Sequence, residues 1–286
     1  MSSLSDMPRR ALAAALALCA FGTATHAADN WPSRPIRVVV PYAPGNAGDV
    51  TFRIVQQELE ARLGANFYID NKSGASGNIG AEDVVRSAPD GYTLLLGATN
   101  NFVTNQYLAK LRYDPAKDLV PVTVINNAPA VIVVNASLPA NNLAELTAYA
   151  KKNPGKLNYG TPGSGTAPHL IGALYAQSAG IELVHVPYRG SPPALPQVQT
   201  TAEQGLPDLV AGNWWGLAAP VGTDPAIVRK LADAVKAAVA KPEIAQQFEK
   251  LGLTAVGNTP AEFGAQIQRE AAVWKGIIQK ADIKAE

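Results

Sequence analysis

The chain has 286 residues, 24 Lys and Arg against 23 Asp and Glu, 47% hydrophobic residues and a single cysteine. A net charge near zero, with no lysine- and arginine-rich run, argues against nucleic acid or an anionic membrane surface as a partner. The one cysteine, Cys19, falls in an N-terminal leader, so thiol catalysis, disulfides and thiolate metal sites are excluded from the mature chain.

The leader is residues 1–27. Arg9 and Arg10 precede the apolar run ALAAALALCAFG, which is shorter than a membrane span, and TATHA closes it with small residues. This pattern predicts a secretory signal cleaved near Ala27 and no membrane insertion of the mature chain. Leu18 stands where a lipoprotein signal would need a small residue before Cys19.

IRVVVPY reads as a strand, APGNAGD as a glycine-rich loop and VTFRIVQQELEARLG as a helix, with Asp49 placed as its N-cap and Gly64 just past its end. NFYIDN, a loop of Ser, Gly and Asn, and a short helix stopped at Pro89-Asp90-Gly91 repeat the plan. YTLLLGATNN is a third strand ending in small polar residues.

Two apolar runs follow, VPVTVIN and PAVIVVN, split by Asn126, Asn127 and Pro129. Next come a helix in LAELTAYAKKNPG, the strand LNYGT, the loop PGSG and the helix APHLIGALYAQSAG, which has Pro168 in its first turn. After the strands LVHVPY and LVAGNWWGLAAP, Asp224 caps a helix whose Ile227, Leu231, Val235 and Val239 form one apolar stripe. A helix from Pro242, a strand-like LTAVG and the terminal helix PAEFGAQIQREAAVWKGIIQK complete the chain. Strands alternating with helices predict a parallel α/β sheet, with helices on both faces and a crevice at the carboxyl ends of its strands.

Three loops share one character: residues 44–49, 73–80 and 161–166. Each joins a strand to a helix, where glycine allows close backbone approach and helix-start N–H groups, Ser and Thr supply donors for an anion. Two such loops on opposite lobes would hold the two ends of a small carboxylate. Glycine and serine also serve any tight turn, so the inference rests on three loops of one composition rather than on any single loop.

Catalytic patterns fail. Neither Ser76 nor Ser164 sits in G-x-S-x-G, no Walker loop is present, and no G-x-G-x-x-G follows the first strand. His169 and His185, the only histidines after the leader, lack ligand spacing, so neither a metal nor another cofactor is expected. His169, at a helix start, is open to a ligand role or a packing role, and His185 reads as structural. Trp214 and Trp215 read as packing side chains. With no base, nucleophile or metal set beside His169, the chain reads as a non-enzyme.

The segments WPSRPIRVVVPYAPGNAGD, VVRSAPDGYTLLLG, YDPAKDLVPVTVI, LNYGTPGSGTAPHL, VPYRGSPPAL, TTAEQGLP, GLAAPVGTDPAIVRKL and LGLTAVGNTPAEF resemble, in order, the solute-binding receptors of the tripartite tricarboxylate transporter family, also called Bug proteins. The resemblance implies a two-lobed, type II-like α/β periplasmic binding protein. It would capture a small carboxylate, a di- or tricarboxylate or an amino acid, for membrane permease subunits. Residues 28–125 with 208–286 would form lobe 1, and residues 126–207 lobe 2.

Carried over by motif, lobe 1 would offer Tyr42, Gly45, Asn46, Ala47, Ser76, Asn78, Thr99 and Asn100. Lobe 2 would offer Thr161, Ser164, Gly165, Thr166, His169, Tyr188 and Gly190. Asn46 departs from the glycine usual in the family and could narrow the pocket or donate an extra hydrogen bond.

A second departure lies near residue 195. In the family, the segment like YRGSPPAL opens a helix that leads to another strand, helix and strand, whereas here Leu195 runs straight into Pro196. Pro196 would stop a helix begun at Ser191 within about a turn and a half, and a βαβ unit takes about 30 or more residues. The expectation is a shortened second lobe, and the alternative to a working receptor is one whose ligand binding is altered or lost.

Overall fold

The computed structural model describes residues 30–280 and 283, apart from 131, 136–137, 162–166 and 188–211. The leader and the break at 195 therefore lie outside the described residues.

Strand β1 (Ile36–Val40) leads into α1 (Ala47–Leu63), β2 (Phe67–Asn71), a 3-10 turn (Ala75–Gly77), α2 (Asn78–Val85) and β3 (Thr93–Ala98). A π-helical turn (Asn100–Thr104) and the short helices α3 (Asn105–Leu108) and α4 (Pro115–Asp118) connect to β4 (Leu119–Pro129). Helix α5 (Leu143–Lys152), β5 (Leu157–Thr161), α6 (Ala167–Ala179) and β6 (Leu183–Pro187) follow. Then come β7 (Gly212–Pro220), α7 (Pro225–Val239), α8 (Pro242–Lys250), β8 (Thr254–Ala255) and α9 (Pro260–Lys280).

The main sheet has the order β2-β1-β3-β7-β4-β8, and β5 and β6 form a separate parallel pair. β1 runs parallel to β2 and β3, whereas β7 is antiparallel to both β3 and β4. The expected parallel unit is therefore confirmed in its first half, and the late strands close the sheet in the opposite sense.

Both faces of this sheet are covered, which is why its strands read as near-continuous apolar runs. Val38, Val40, Leu94 and Leu96 point to one face, where they pack with Phe52, Val55 and Leu59 of α1 and Leu231 and Val235 of α7. Val39 and Leu95 point to the other, where Val84 of α2 and Trp274, Ile277 and Ile278 of α9 cover them. Trp214 and Trp215 alternate in the same way, one in each core. The β5–β6 pair has only a small core of its own, with Ala140, Leu143, Leu146 and Tyr175 buried.

Two expectations are corrected. Helix α1 is capped by Asn46, whose side chain accepts from the Gly48 and Asp49 N–H groups, and not by Asp49. Asp49 sits in the first turn, and its buried carboxylate accepts the Gly45 N–H at 2.8 Å, so the two side chains together satisfy three N–H groups around the helix start. The second correction concerns the two apolar runs. β4 continues through Asn126 and Asn127 to Pro129, because the buried Asn126 amide donates to Thr51 Oγ1 at 2.9 Å, while residues 132–135 form no strand.

The other helix boundaries follow their sequence signals. Gly64 ends α1 with φ +70°, and Asp224 caps α7 through the Ala226 N–H.

Candidate functional site

The carboxyl ends of β1, β2 and β3 bring three loops together. Asn71, ending β2, donates to the Tyr42 carbonyl at 3.0 Å and so ties the first loop to the second strand. Tyr42 Oη lies 2.7 Å from Asn100 Oδ1 and 3.1 Å from Asn101 Oδ1, and its proton can serve one of them at a time. Burial pushes the Tyr42 phenol well above its ordinary range, so it stays a neutral donor.

The second loop is held from the third. Asn100 Nδ2 and Asn105 Nδ2 both donate to the Ser76 carbonyl, at 2.8 and 3.1 Å. Asn105 Nδ2 also lies 2.6 Å from Asn78 Oδ1. This clamp has a reason: Ala75 and Ser76 have φ values of +48° and +53°, the left-handed region that costs an ordinary residue about 1–2 kcal/mol. Such strain persists only where the surroundings over-determine the backbone. Asn101 is fully buried; its Oδ1 accepts the Ala98 N–H at 3.0 Å, while its Nδ2 packs against Gly77 with no hydrogen-bond partner among the described residues.

The start of α1 is set by packing as well as by its cap. A Cβ at Gly48 would lie 2.4 Å from the Trp215 ring, so only glycine lets the helix start come this close to β7. Trp215 also meets Tyr42 edge-on, with ring centroids 5.4 Å apart. The buried carboxylate of Asp49 is turned to the Gly45 N–H and to Arg53 Nε at 3.1 Å. The groups named on the three loops are amide, hydroxyl and backbone dipoles, with the positive end of α1 beneath them.

Tyr42, Gly45, Asn46, Ala47, Ser76, Asn78 and Asn100 thus gather at one rim. Within it, Asn46 spends its amide on its own loop, since its Oδ1 caps α1 and its Nδ2 donates to the Ala43 carbonyl. Thr99 is buried and accepts the Trp214 N–H at 3.2 Å. Thr161 ends β5; Ser164, Gly165, Thr166, Tyr188 and Gly190 lie outside the described residues. Sequence reasoning missed Asn71, Asn101 and Asn105, which build the rim from behind together with Trp215, a packing side chain as read; the paired asparagines after β3 were the available signal.

His169 is buried at the start of α6 and stacks on His185 of β6, ring centroids 3.7 Å apart, with Tyr159 beside them. Burial, and then the charge of His185, lower its pKa from 6.5 to about 4. An unfolded chain would protonate His169 near pH 6.5, so the stability this group contributes is intact above that pH. It is lost as the pH falls toward 4. At pH 5 the expected loss is up to about 2 kcal/mol, read as a shift in urea midpoint that His169→Gln should flatten.

Among the described residues no group of His, Cys, Asp and Glu could hold a metal, and no helix is long and apolar enough to cross a membrane.

A family model described as "Tripartite tricarboxylate transporter family receptor" matches residues 51–195 and 192–283 in two pieces. A protein of Pseudomonas sp. (strain P51), from the tcbD-tcbE intergenic region, is 31% identical over 326 positions, covering 99% of this chain and 97% of its own. A solved structure titled as a periplasmic transporter is 34% identical with a TM-score of 0.76, covering 90% of this chain and all of its own. The R. palustris protein Rpa4515, solved with adipate, is 30% identical with a TM-score of 0.76 over the same shares.

Proposed function

Because the chain belongs to the tripartite tricarboxylate transporter receptor family, we propose that it captures a small carboxylate in the periplasm for the permease of such a transporter. The observation that carries this reading is the rim at the ends of β1, β2 and β3. Three strand-to-helix loops are locked to one another there by asparagine amides, with the start of α1 among them.

In this reading the rim holds one carboxylate of the ligand. The opposite end would be met by Thr161, Ser164, Gly165, Thr166, His169, Tyr188 and Gly190 from lobe 2, residues 126–207. Residues 28–125 with 208–286 form lobe 1. A relative solved with adipate, a flexible dicarboxylate, suits that two-ended arrangement. The family is one of receptors rather than enzymes.

A second reading is favoured by two observations: among the described residues β5 and β6 stand as a two-stranded sheet, and the family model breaks at 192–195. In it the chain is a receptor whose ligand binding is altered or lost.

Thermal unfolding of residues 28–286 with adipate, malate, citrate and glutamate separates the two. A ligand at 100 times its Kd adds about 2.7 kcal/mol, which raises the midpoint by roughly 5–10 °C at this size. One compound with that effect establishes the receptor; a cooperative melt that none of them moves supports the second reading.

A further inference from the structure

Trp214, near the start of β7, meets the third rim loop in two ways. Its main-chain N–H donates to Thr99 Oγ1 at 3.2 Å, and its ring lies against Phe102 of the π-helical turn, with centroids 5.4 Å apart. Phe102 is itself packed onto β3, where a Cβ on Gly97 would lie 2.6 Å from its ring. Phe263 of α9 meets the Trp214 ring edge-on, at 5.1 Å and 88°, and is pressed in turn onto Gly216 of β7. Trp214 therefore sits between the C-terminal helix and the loop that carries Asn100.

The indole N–H of Trp214 is held from α9. It lies 3.0 and 2.9 Å from the two carboxylate oxygens of Glu270, and Gln266 Nε2 donates to Oε1 of the same group at 2.9 Å. Burial raises the pKa of Glu270, against the pull of these two N–H donors and of the Arg269 charge. A carboxylate drawn out of water onto neutral donors is a poor source of net stability. As an acceptor, however, it is stronger and more directional than a neutral one, so it fixes the tilt of the indole within its aromatic contacts.

We propose that Glu270 is a positioning residue for carboxylate capture: it fixes Trp214 and, through Thr99 and Phe102, sets the third loop that presents Asn100 to the rim. From Asn100 the restraint reaches the other two loops, because its Oδ1 accepts from Tyr42 Oη and its Nδ2 donates to the Ser76 carbonyl. Helix α9 thus takes part in binding from behind the rim. The proposal rests on the rim as the ligand site.

The test compares wild-type residues 28–286 with Glu270→Leu, Glu270→Gln and Ile244→Val. Ile244 is buried on α8 in the core on the other face of the sheet, so its variant lowers stability without reaching Trp214. Calorimetric titration uses whichever of adipate, malate, citrate and glutamate stabilises the wild type. Glu270→Leu should weaken its Kd about five- to tenfold, the cost of re-ordering the loop on binding. Glu270→Gln, which keeps an acceptor for the indole, should stay within about twofold of the wild type, and Ile244→Val should leave Kd unchanged. In ¹⁵N-tryptophan-labelled protein without ligand, Glu270→Leu should move one of the four indole N–H signals upfield. The positioning role is overturned by a Kd that Glu270→Leu leaves unchanged, by equal weakening in Ile244→Val, by a Gln variant no better than Leu, or by indole signals that neither Glu270 variant moves. Should none of the four compounds bind the wild type, the rim falls as their site and the positioning role falls with it. Binding to the wild type with any of the other failures leaves the rim standing and removes Glu270 alone.

Discussion

Trp215→Ala is expected to lower the unfolding free energy by about 3–5 kcal/mol, the usual range for removing a buried indole. The lower end is favoured, because Trp215 Nε1 is buried without a hydrogen-bond partner among the described residues. Gly48→Ala alone should cost about 1–3 kcal/mol through overpacking against that ring. In the double variant the second penalty should vanish, since the space for the new methyl has been opened, leaving a coupling of about 1–3 kcal/mol. Urea unfolding of the four proteins measures the cycle. Strict additivity would show that contact with Trp215 does not place the start of α1.

The second large effect concerns the clamp on the 3-10 turn. Asn105 is buried and ties the Ser76 carbonyl to Asn78. Asn105→Ala leaves those acceptors less satisfied, at about 1–3 kcal/mol. It also releases part of the restraint on two left-handed residues. If the rim holds a carboxylate, affinity should fall by at least tenfold, because the loop would have to be re-ordered on binding. Adding Ser76→Gly, which removes the need for restraint at that position, should restore part of the stability. Calorimetric titration with whichever carboxylate stabilises the wild type reads the affinity, and an unchanged Kd would separate this loop from the site.

Most strands and helices of the main sheet were legible because near-continuous apolar runs such as IRVVV and the stripe of α7 report burial directly. The failures have physical causes. Asn126 and Asn127 look like a turn, yet β4 runs through them, and Thr51, 75 residues away in sequence, accepts from the buried Asn126 Nδ2. Asp49 matched the capping preference, but Asn46 stands at the non-helical φ/ψ that a cap requires, which sequence alone does not display. The run at 132–134 has the β-branched composition of a strand, yet residues 132–135 form none. At the rim, glycine loops marked the place, whereas the asparagines that fasten them gave no periodic signal.

The order of the main sheet also governs when the protein can fold. β7, which lies at its centre between β3 and β4, is reached only after about three-quarters of the chain has emerged. Until then β3 and β4 have no strand between them, and both hydrophobic cores lack a wall. Long-range closure of this kind slows folding and keeps a growing chain uncommitted. For a polypeptide whose first residues read as an export signal, late commitment is useful: it extends the period in which an unfolded chain can still be threaded through a membrane.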